Sequence, residues 1–298
     1  MVRKIFLLLG AVLVLFFAAG CAASTAKSEP AGQQDAAAGV TVKMLDVGQG
    51  DALLLRTGEQ TILIDSGDVD ARDKLLRELR AEGVTTIDKL IITHPHADHM
   101  GGAEMLFANF TVKEVYDNGQ PTTTALYRKY LKDIKAHSIA YKNLKEGDTL
   151  DFGGGVSFQV LSPTGEMLST SKDLNGNSIV GRLVYGDFSM LFTGDSESEA
   201  EKRMLARYGK QLKSTILKAP HHGSKTSSSA SYLKAVAPEA VLISLGAGND
   251  YGHPHAATLK RYEKLGCKVY RTDQQGSITI HSDGHTYEIE GENRWQWQ

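Results

Sequence analysis

The chain has 298 residues, of which 41% are hydrophobic and 23% are charged, with a formal net charge of −2. This ordinary globular composition is enough for one large domain or two small ones. The near-neutral charge excludes a protein that is basic throughout, so any contact with nucleic acid must come from local patches. Two cysteines, Cys21 and Cys267, are too few for a disulfide framework or a cysteine-rich zinc site.

The first segment, residues 1–20, is predicted to be a lipoprotein signal peptide. A basic start precedes sixteen uncharged residues, 5–20, and small residues lead up to Cys21. This arrangement resembles the cleavage box of bacterial lipoproteins, in which the cysteine is lipidated and becomes the new N-terminus. An uncleaved membrane anchor is the alternative, and both place the domain on the extracytoplasmic face of a membrane. Residues 21–39, rich in Ala, Ser, Gly and Gln, are predicted to be a flexible tether.

A folded domain is predicted over residues 40–290. In its first half, apolar and β-branched runs predict strands and apolar residues at helical spacing predict helices. The strands are expected at 41–47, 52–56, 61–64, 89–92 and 113–116, and the helices at 70–82, 102–110 and 125–137. The last of these helices carries a run of Lys and Arg. Such a run indicates a solvated face or, alternatively, a patch that follows phosphates.

Four candidate metal ligands follow the strand at 89–92, namely His94, His96, Asp98 and His99. A strand that ends in this cluster brings imidazole nitrogens and a carboxylate oxygen to the rim of a sheet. That mixture suits zinc, manganese or iron better than calcium or magnesium. The alternative is a polar loop with histidines present by chance, which three histidines within six residues disfavour.

The second half is also rich in strands and contains further polar strand ends. Strands are expected at 156–161, 178–185, 189–192, 214–218, 240–244 and 269–271, with helices at 197–208 and 232–236, a helix ending at 265, and a closing hairpin around 283–284. Asp195 follows one strand, and Gly194 allows the tight turn that aims its carboxylate inward. His221 and His222 follow the next strand, and His253 lies after the strand at 240–244. Residues 291–298 form a polar-aromatic tail without an assigned role.

The pattern His-x-His-x-Asp-His after a strand resembles the signature of the metallo-β-lactamase superfamily. The stretches MLDVGQGDA, LIDSG, LIITHPHADHMGG, NSIVGRL, MLFTGD, LKAPHHGSKTSSS and SLGAGNDYGHPH extend the resemblance to the metallo-hydrolase domain of ComEC-type DNA-uptake proteins. It implies an α+β fold, a four-layer αβ/βα sandwich, with the site where the strands of both halves end. The apolar signal segment is the one long apolar stretch, so a stand-alone, membrane-tethered version of the domain is expected.

The resemblance also implies a ligand set and one or two divalent transition metals, zinc or manganese. His94 and His96 would hold one metal, Asp98 and His99 the second, and Asp195 both. His253 is assigned to the second metal because many members end their ligand set after the last core strand. His221 is assigned to acid catalysis, and His222 is the alternative acid, a ligand or structural. Residues 173–178 lack the histidine that many members have there, which predicts a weakly held first metal or a single permanent one.

The expected function is hydrolysis of a phosphodiester in nucleic acid or a nucleotide by metal-activated hydroxide, with Asp98 orienting the water. Ser224 and Lys225 are expected at a helix N-terminus, where they would contact a phosphate or simply cap the helix, and Asn177 is a third candidate contact. Hydrolysis of another ester, thioester, lactone or lactam on the same fold is the first alternative. A non-enzymatic DNA-binding lipoprotein is the second. No protein partner is inferred.

Overall fold

The computed structural model describes residues 39–293, which form two β-sheets with helices on their outer faces. The first sheet has eight strands in the order β15-β14-β1-β2-β3-β4-β5-β6. These are β1 (Val40–Met44), β2 (Leu53–Arg56), β3 (Thr61–Ile64), β4 (Thr86–Ile91), β5 (Thr111–Asp117), β6 (Ala140–Asn143), β14 (Ile278–Ser282) and β15 (Tyr287–Gly291). The C-terminal hairpin therefore pairs with the first strand, and Met44 lies opposite Ile278.

The second sheet has seven strands in the order β13-β12-β11-β10-β9-β8-β7. These are β7 (Thr149–Asp151), β8 (Ser157–Ser162), β9 (Val180–Tyr185), β10 (Phe188–Phe192), β11 (Ile216–Lys218), β12 (Ala240–Ile243) and β13 (Lys268–Arg271). Every residue of β10 and β12 is buried, as expected for central strands that are covered on both faces.

Nine α-helices cover the sheets within residues 39–293. They are α1 (Arg72–Ala81), α2 (Ala97–Met100), α3 (Ala103–Asn109), α4 (Ala125–Ala136), α5 (Gly165–Thr170), α6 (Ser198–Tyr208), α7 (Ala230–Val236), α8 (Ala256–Leu265) and α9 (Thr272–Gln275). Short 3₁₀ turns occur at Val69–Ala71, Gly209–Leu212 and Pro220–Gly223.

The apolar side chains form three buried layers. Met44, Phe158 and Phe192 belong to the layer between the two sheets. A second layer joins α1, α3 and α4 to the outer face of the first sheet, and a third joins α6, α7 and α8 to the outer face of the second. The four-layer αβ/βα sandwich predicted from the sequence is therefore confirmed.

The arrangement of parallel strands positions the site. Strands β3, β4 and β5 are parallel neighbours in the first sheet, and β10, β11 and β12 are parallel neighbours in the second. The carboxyl ends of neighbouring parallel strands lie at one edge of a sheet, and the loops that follow β3, β4, β10 and β11 carry the polar residues described below. Both halves of the chain therefore end parallel strands in loops that carry polar residues.

Several local predictions were wrong. Helix α7 begins at Ala230, so Ser224 and Lys225 do not lie at a helix N-terminus. The chain between them and α7 is kept out of a helix because Ser228 has a φ of +59°, and the hydroxyl of Ser229 caps the helix instead. The short elements β6, β7, α2, α5 and α9 were not predicted.

No helix within residues 39–293 is both long and apolar enough to cross a bilayer. The predicted signal peptide, Cys21, almost all of the predicted tether and the last five residues of the tail lie outside the described residues. The domain boundaries at 40 and 290 stay predictions.

Candidate metal centre

The loop after β4 carries the first four candidate ligands. His94 and His99 are fully buried, and the chain passes from His94 through an extended His96 into the short helix α2, which carries Asp98 and His99. The Nε2 atom of His94 lies 3.0 Å from Nδ1 of His96, and the rings of His94 and His99 are 4.1 Å apart. The structure thus brings the whole predicted cluster to one place.

Asp65, at the end of β3, orients His99. Its Oδ2 lies 2.8 Å from Nδ1 of His99, and it also accepts hydrogen bonds from the backbone N–H and hydroxyl of Thr93. Because an ionised carboxylate only accepts, Nδ1 of His99 is the donor and its Nε2 is left as the free acceptor. Burial raises the pKa of Asp65, although the charge of His99 opposes this.

Asp195 lies between the histidines of both halves. Its Oδ1 is 3.3 Å from Nε2 of His99 and 3.5 Å from Nε2 of His222. Burial alone would raise the pKa of Asp195, but the charges of His222 and His99 outweigh burial and hold it well below its usual range. Gly194 has a φ of +49°, and a Cβ atom there would lie 2.9 Å from the side chain of Thr93. Only glycine fits this turn, as the sequence predicted.

His222 enters the cluster through an unusual turn. His221 and His222 both have positive φ values, 49° and 51°. This backbone conformation is rare and costly for residues other than glycine. The turn reverses the chain directly after β11 and buries His222, whose Nδ1 donates to the carbonyl oxygen of Ser244 at 2.8 Å. Its Nε2 faces Asp98 at 3.3 Å.

Four side chains fit a divalent cation. One ligand atom from each of Asp98, His99, Asp195 and His222 lies within 4.8 Å of the others. Three of these atoms, His99 Nε2, Asp195 Oδ1 and His222 Nε2, are buried without a hydrogen-bond partner among the described residues. Leaving such atoms unpaired is costly, and a cation would satisfy all of them at once. The nitrogen and oxygen donors are those that zinc and manganese accept.

The electrostatics of the cluster favour the binding of a positive charge. Burial disfavours the charged form of His222, yet the carboxylates of Asp195 and Asp51 raise its pKa to about 10. The pKa of His99 is raised for the same reason, mainly by Asp195 and Asp65. The carboxylates thus attract protons onto both rings, and a metal ion would take the place of those protons.

His253 occupies the rim of the site. Its ring lies 6.2 Å from that of His222 and 5.5 Å from that of His221, and it lines the cavity. Burial and the neighbouring histidines lower its pKa to about 4. The geometry therefore favours His222 over His253 as the partner of Asp98, because the turn at 221–222 points His222 inward. The loop after β12 instead carries His253 to the outer rim.

His221 is held by a carboxylate that sequence reasoning missed. Nδ1 of His221 lies 3.1 Å from Oε1 of Glu197, which also accepts a hydrogen bond from Thr226. Nε2 of His221 is 3.7 Å from Oδ2 of Asp195, and the side chain is partly exposed to the cavity. The position of Glu197, two residues after Asp195, was the available signal. This pair can hold a proton at Nε2 and release it into the cavity.

A buried ion pair supports the cluster from behind. Lys218, at the end of β11, is 1% exposed, donates to the carbonyl oxygen of Gly194 at 3.0 Å and pairs with Asp51. Oδ1 of Asp51 lies 3.5 Å from Nδ1 of His222. Asp51 belongs to the stretch MLDVGQGDA, to which the sequence analysis gave no role. The pair fixes the turn that carries Asp195 beside the loop that carries His222.

The cluster opens into a cavity of about 350 Å³, large enough for part of a nucleotide. Its lining residues are Gln49, Asp68, His96, Ala97, Asp98, Asn175, Asp195, His221, His222, Tyr251 and His253. Asn175 lies in the segment that lacks the expected histidine, and its buried Oδ1 has no partner among residues 39–293. The amide of Asn175 is thus the polar group that this segment presents to the site.

The three predicted substrate contacts differ in their surroundings. Ser224 is 3% exposed, and its hydroxyl is within 2.9 Å of the hydroxyl of Thr226. Asn177 is buried and donates to Gln120 and to the carbonyl oxygen of Ser171. Lys225 has an exposed side chain. Substrate contact stays a prediction for all three, and the surroundings favour Lys225.

Two curated relatives resemble most of this chain. ComE operon protein 3 of Bacillus subtilis (strain 168) is 31% identical over 255 residues, which are 80% of this chain and 32% of that protein. Competence protein ComA of Neisseria gonorrhoeae is 33% identical over 238 residues, which are 80% of this chain and 31% of that protein. The chain thus spans about a third of the length of these relatives.

The fold also matches a solved structure. The metallo-beta-lactamase fold protein YhfI from Bacillus subtilis superposes with a TM-score of 0.52 at 13% identity, over 78% of this chain and 96% of YhfI. The family model of the metallo-beta-lactamase superfamily matches residues 45–247. These residues include the loops after β3, β4, β10 and β11. The chain therefore belongs to the metallo-beta-lactamase superfamily.

Proposed function

We propose that the protein is a metal-dependent phosphodiesterase that acts on nucleic acid. The observation that carries the proposal is the set of four converging ligand atoms, three of them buried and unpaired, at the floor of an open cavity. A cation held there with an open position could supply hydroxide for hydrolysis. The names of the competence relatives and the resemblance to DNA-uptake proteins support nucleic acid as the substrate class.

In this proposal Asp98, His99, Asp195 and His222 would hold the more firmly bound cation, zinc or manganese. His94 and His96, with Asp195, would hold a second cation more weakly, because Asn175 stands in the segment where a further histidine is absent. A bound cation would make hydroxide available near neutral pH and stabilise the charge that develops on the phosphate.

The side chains of the chain then have separable tasks. Asp98, whose side chain is 23% exposed, faces the cavity and orients the attacking water. His221 protonates the leaving oxygen from Nε2, and Glu197 fixes its ring by accepting from Nδ1. Lys225, whose side chain is exposed, would neutralise a neighbouring phosphate of the substrate. His221 here keeps the role expected from the sequence, whereas His222 replaces His253 among the ligands.

A substrate panel tests the proposal. The full chain, supplied with zinc or manganese, is incubated with labelled oligonucleotides and with a β-lactam, a lactone, a thioester and a phosphocholine ester. We expect cleavage of the oligonucleotide at the highest kcat/KM. Preferred hydrolysis of another ester would favour the first alternative, and oligonucleotide binding without any hydrolysis would favour a surface binding protein.

We also propose that the domain is exported and anchored to a membrane face through lipidated Cys21. The support is the sequence of residues 1–21, with its basic start, apolar core and small residues before the cysteine. Anchoring would hold the site close to extracytoplasmic nucleic acid.

A further inference from the structure

Tyr251 is the most exposed large apolar side chain that the structure describes. Within residues 39–293 three such side chains are markedly exposed, Val69 at 38%, Leu265 at 36% and Tyr251 at 65%, and Tyr251 is the only aromatic one. It also lines the metal cavity. Aromatic rings normally bury most of their surface, so an exposed ring at the mouth of a polar site requires an explanation.

The ring of Tyr251 is held in place from one side. It stacks on the ring of His253, with centroids 5.6 Å apart and an angle of 19° between the planes. His253 in turn contacts His221 and His255 edge to face. One face of Tyr251 is therefore supported by a row of rings that leads into the site, and its large exposed area remains available to a ligand.

The loop that carries Tyr251 is ordered by its own hydrogen bonds. The side-chain amide of Asn249 donates to the carbonyl oxygens of Gly246 and His253 at 3.0 and 2.7 Å, and its oxygen accepts from the N–H of His253 at 3.0 Å. Gly252 supplies the left-handed turn, with a φ of +70°. Such a loop can present a ring without paying the entropy of ordering it upon binding.

We propose that Tyr251 is the platform on which an unpaired nucleobase stacks while the adjacent phosphodiester lies at the metal centre. The inference rests on the proposed function and adds its substrate class, single-stranded nucleic acid. A paired base inside a duplex is already stacked on its neighbours and cannot also cover a protein ring. Stacking tolerates any base, so Tyr251 selects single strands without selecting a sequence.

The test combines substitutions in the protein with deletions in the substrate. Tyr251→Ala and Tyr251→Phe are compared with the full wild-type chain on a single-stranded oligonucleotide and on versions with one abasic position next to the cleaved bond. We expect Tyr251→Ala to raise KM about 5- to 150-fold on the intact strand, and Tyr251→Phe to retain near-normal KM. On the strand whose missing base is the one that would stack on Tyr251, both variants should have the same KM as wild type. If the effects of the Tyr251 substitution and of base removal on KM simply add at every abasic position, the proposal is overturned.

A binding measurement separates this inference from the proposed function. A single strand containing the fluorescent base 2-aminopurine is titrated with the chain in chelator, so that no cleavage is required. Quenching by wild type that Tyr251→Ala loses supports the platform even if no cleavage is ever found, in which case only the proposed function fails. Absence of quenching that depends on Tyr251 overturns the platform whether or not cleavage is found, and cleavage by wild type in that case leaves the proposed function intact. Leu265→Ala, an exposed apolar change on α8, is the matched control and should alter neither readout.

Discussion

The fourth residue of the proposed ligand set is either His222 or His253. His222 is buried and faces Asp98 and Asp195, whereas His253 lies at the rim. We expect His222→Ala to weaken metal binding by at least about 10- to 100-fold, because even residues behind a ligand have effects of that size. His253→Ala should keep its metal. Elemental analysis of both purified variants would contradict the assignment if His253→Ala were metal-free and His222→Ala were loaded.

The acid role of His221 makes a different prediction. His221→Ala should lower kcat about 10²- to 10⁴-fold with its metal content unchanged, since Nε2 supplies a proton and does not join the four converging ligand atoms. Glu197→Gln should lower kcat less, because the amide still reaches Nδ1 but no longer carries the charge that stabilises the protonated ring. Loss of bound metal from His221→Ala would show that His221 is a ligand.

The sequence indicates the residues of this site better than it indicates their roles. The spacing of His94, His96, Asp98 and His99 after a strand predicts a metal cluster, because a strand end delivers such side chains together. The choice between His222 and His253 depends on two left-handed backbone conformations that residue identities do not predict. Glu197, Asp65 and Lys218 act through contacts across the fold, and no local pattern reveals those contacts.

At the scale of elements, Glu201 ties helix α6 to the segment before α7. It is fully buried, and its two carboxylate oxygens accept from the backbone N–H groups of Ser228 and Ser229. We expect Glu201→Ala to lower the free energy of unfolding by about 1–3 kcal/mol, because two buried N–H groups lose their acceptor. Urea unfolding of the variant measures this effect, and an unchanged midpoint would contradict it.

The same carboxyl group gives a pH dependence with a definite sign. Burial raises the pKa of Glu201 above its ordinary value of 4.5, although its hydrogen bonds to Ser229 and Ser228 oppose the shift. Because the pKa of Glu201 is higher in the folded state, its contribution to the free energy of unfolding is fully present below pH 4.5. That contribution is lost as the pH rises through the pKa of the folded state. The difference in unfolding free energy between wild type and Glu201→Gln should therefore shrink as the pH increases, and a growing difference would contradict the sign.

Most elements can be predicted from apolar periodicity, and the failures have physical causes. The strand Ala140–Asn143 is the outermost strand of its sheet, and its half-exposed Ala-Tyr-Lys-Asn sequence gives no apolar run. Ser224 was expected at a helix N-terminus because it resembles a capping residue, whereas α7 begins only at Ala230, after the left-handed Ser228. The closing hairpin was expected, but its pairing with β1 is a long-range choice that local sequence does not encode.

At the scale of the whole molecule, two halves of one chain share one site. The first half supplies Asp98 and His99 and the second supplies Asp195 and His222, and the buried pair of Asp51 and Lys218 crosses between the sheets. The resemblance to a known family implied the four-layer sandwich, but the order of the strands in the two sheets was not predicted. Composition and spacing alone predict the strands but leave their order undetermined.

The proposed anchor concerns the full chain. Cys21→Ser removes the thiol that would be lipidated, so we expect an unprocessed precursor to accumulate in cells. Membrane fractionation and the apparent mass of the protein report the result. A variant with an alanine in place of Cys267, the other cysteine of the chain, should be processed and fractionate like wild type. Normal processing and membrane association of Cys21→Ser would reject lipid anchoring.

We propose that the four-residue cluster of Asp98, His99, Asp195 and His222 makes this chain a metal-dependent enzyme that cleaves nucleic acid. Cleavage of a labelled single-stranded oligonucleotide is measured with wild type and with Asp195→Ala. Each protein is first treated with a chelator and is then assayed before and after addition of zinc or manganese. Wild type should be inactive in chelator and recover cleavage with metal, whereas Asp195→Ala should stay folded, bind little metal and remain inactive. Cleavage that persists in chelator, or that Asp195→Ala retains, would contradict the account.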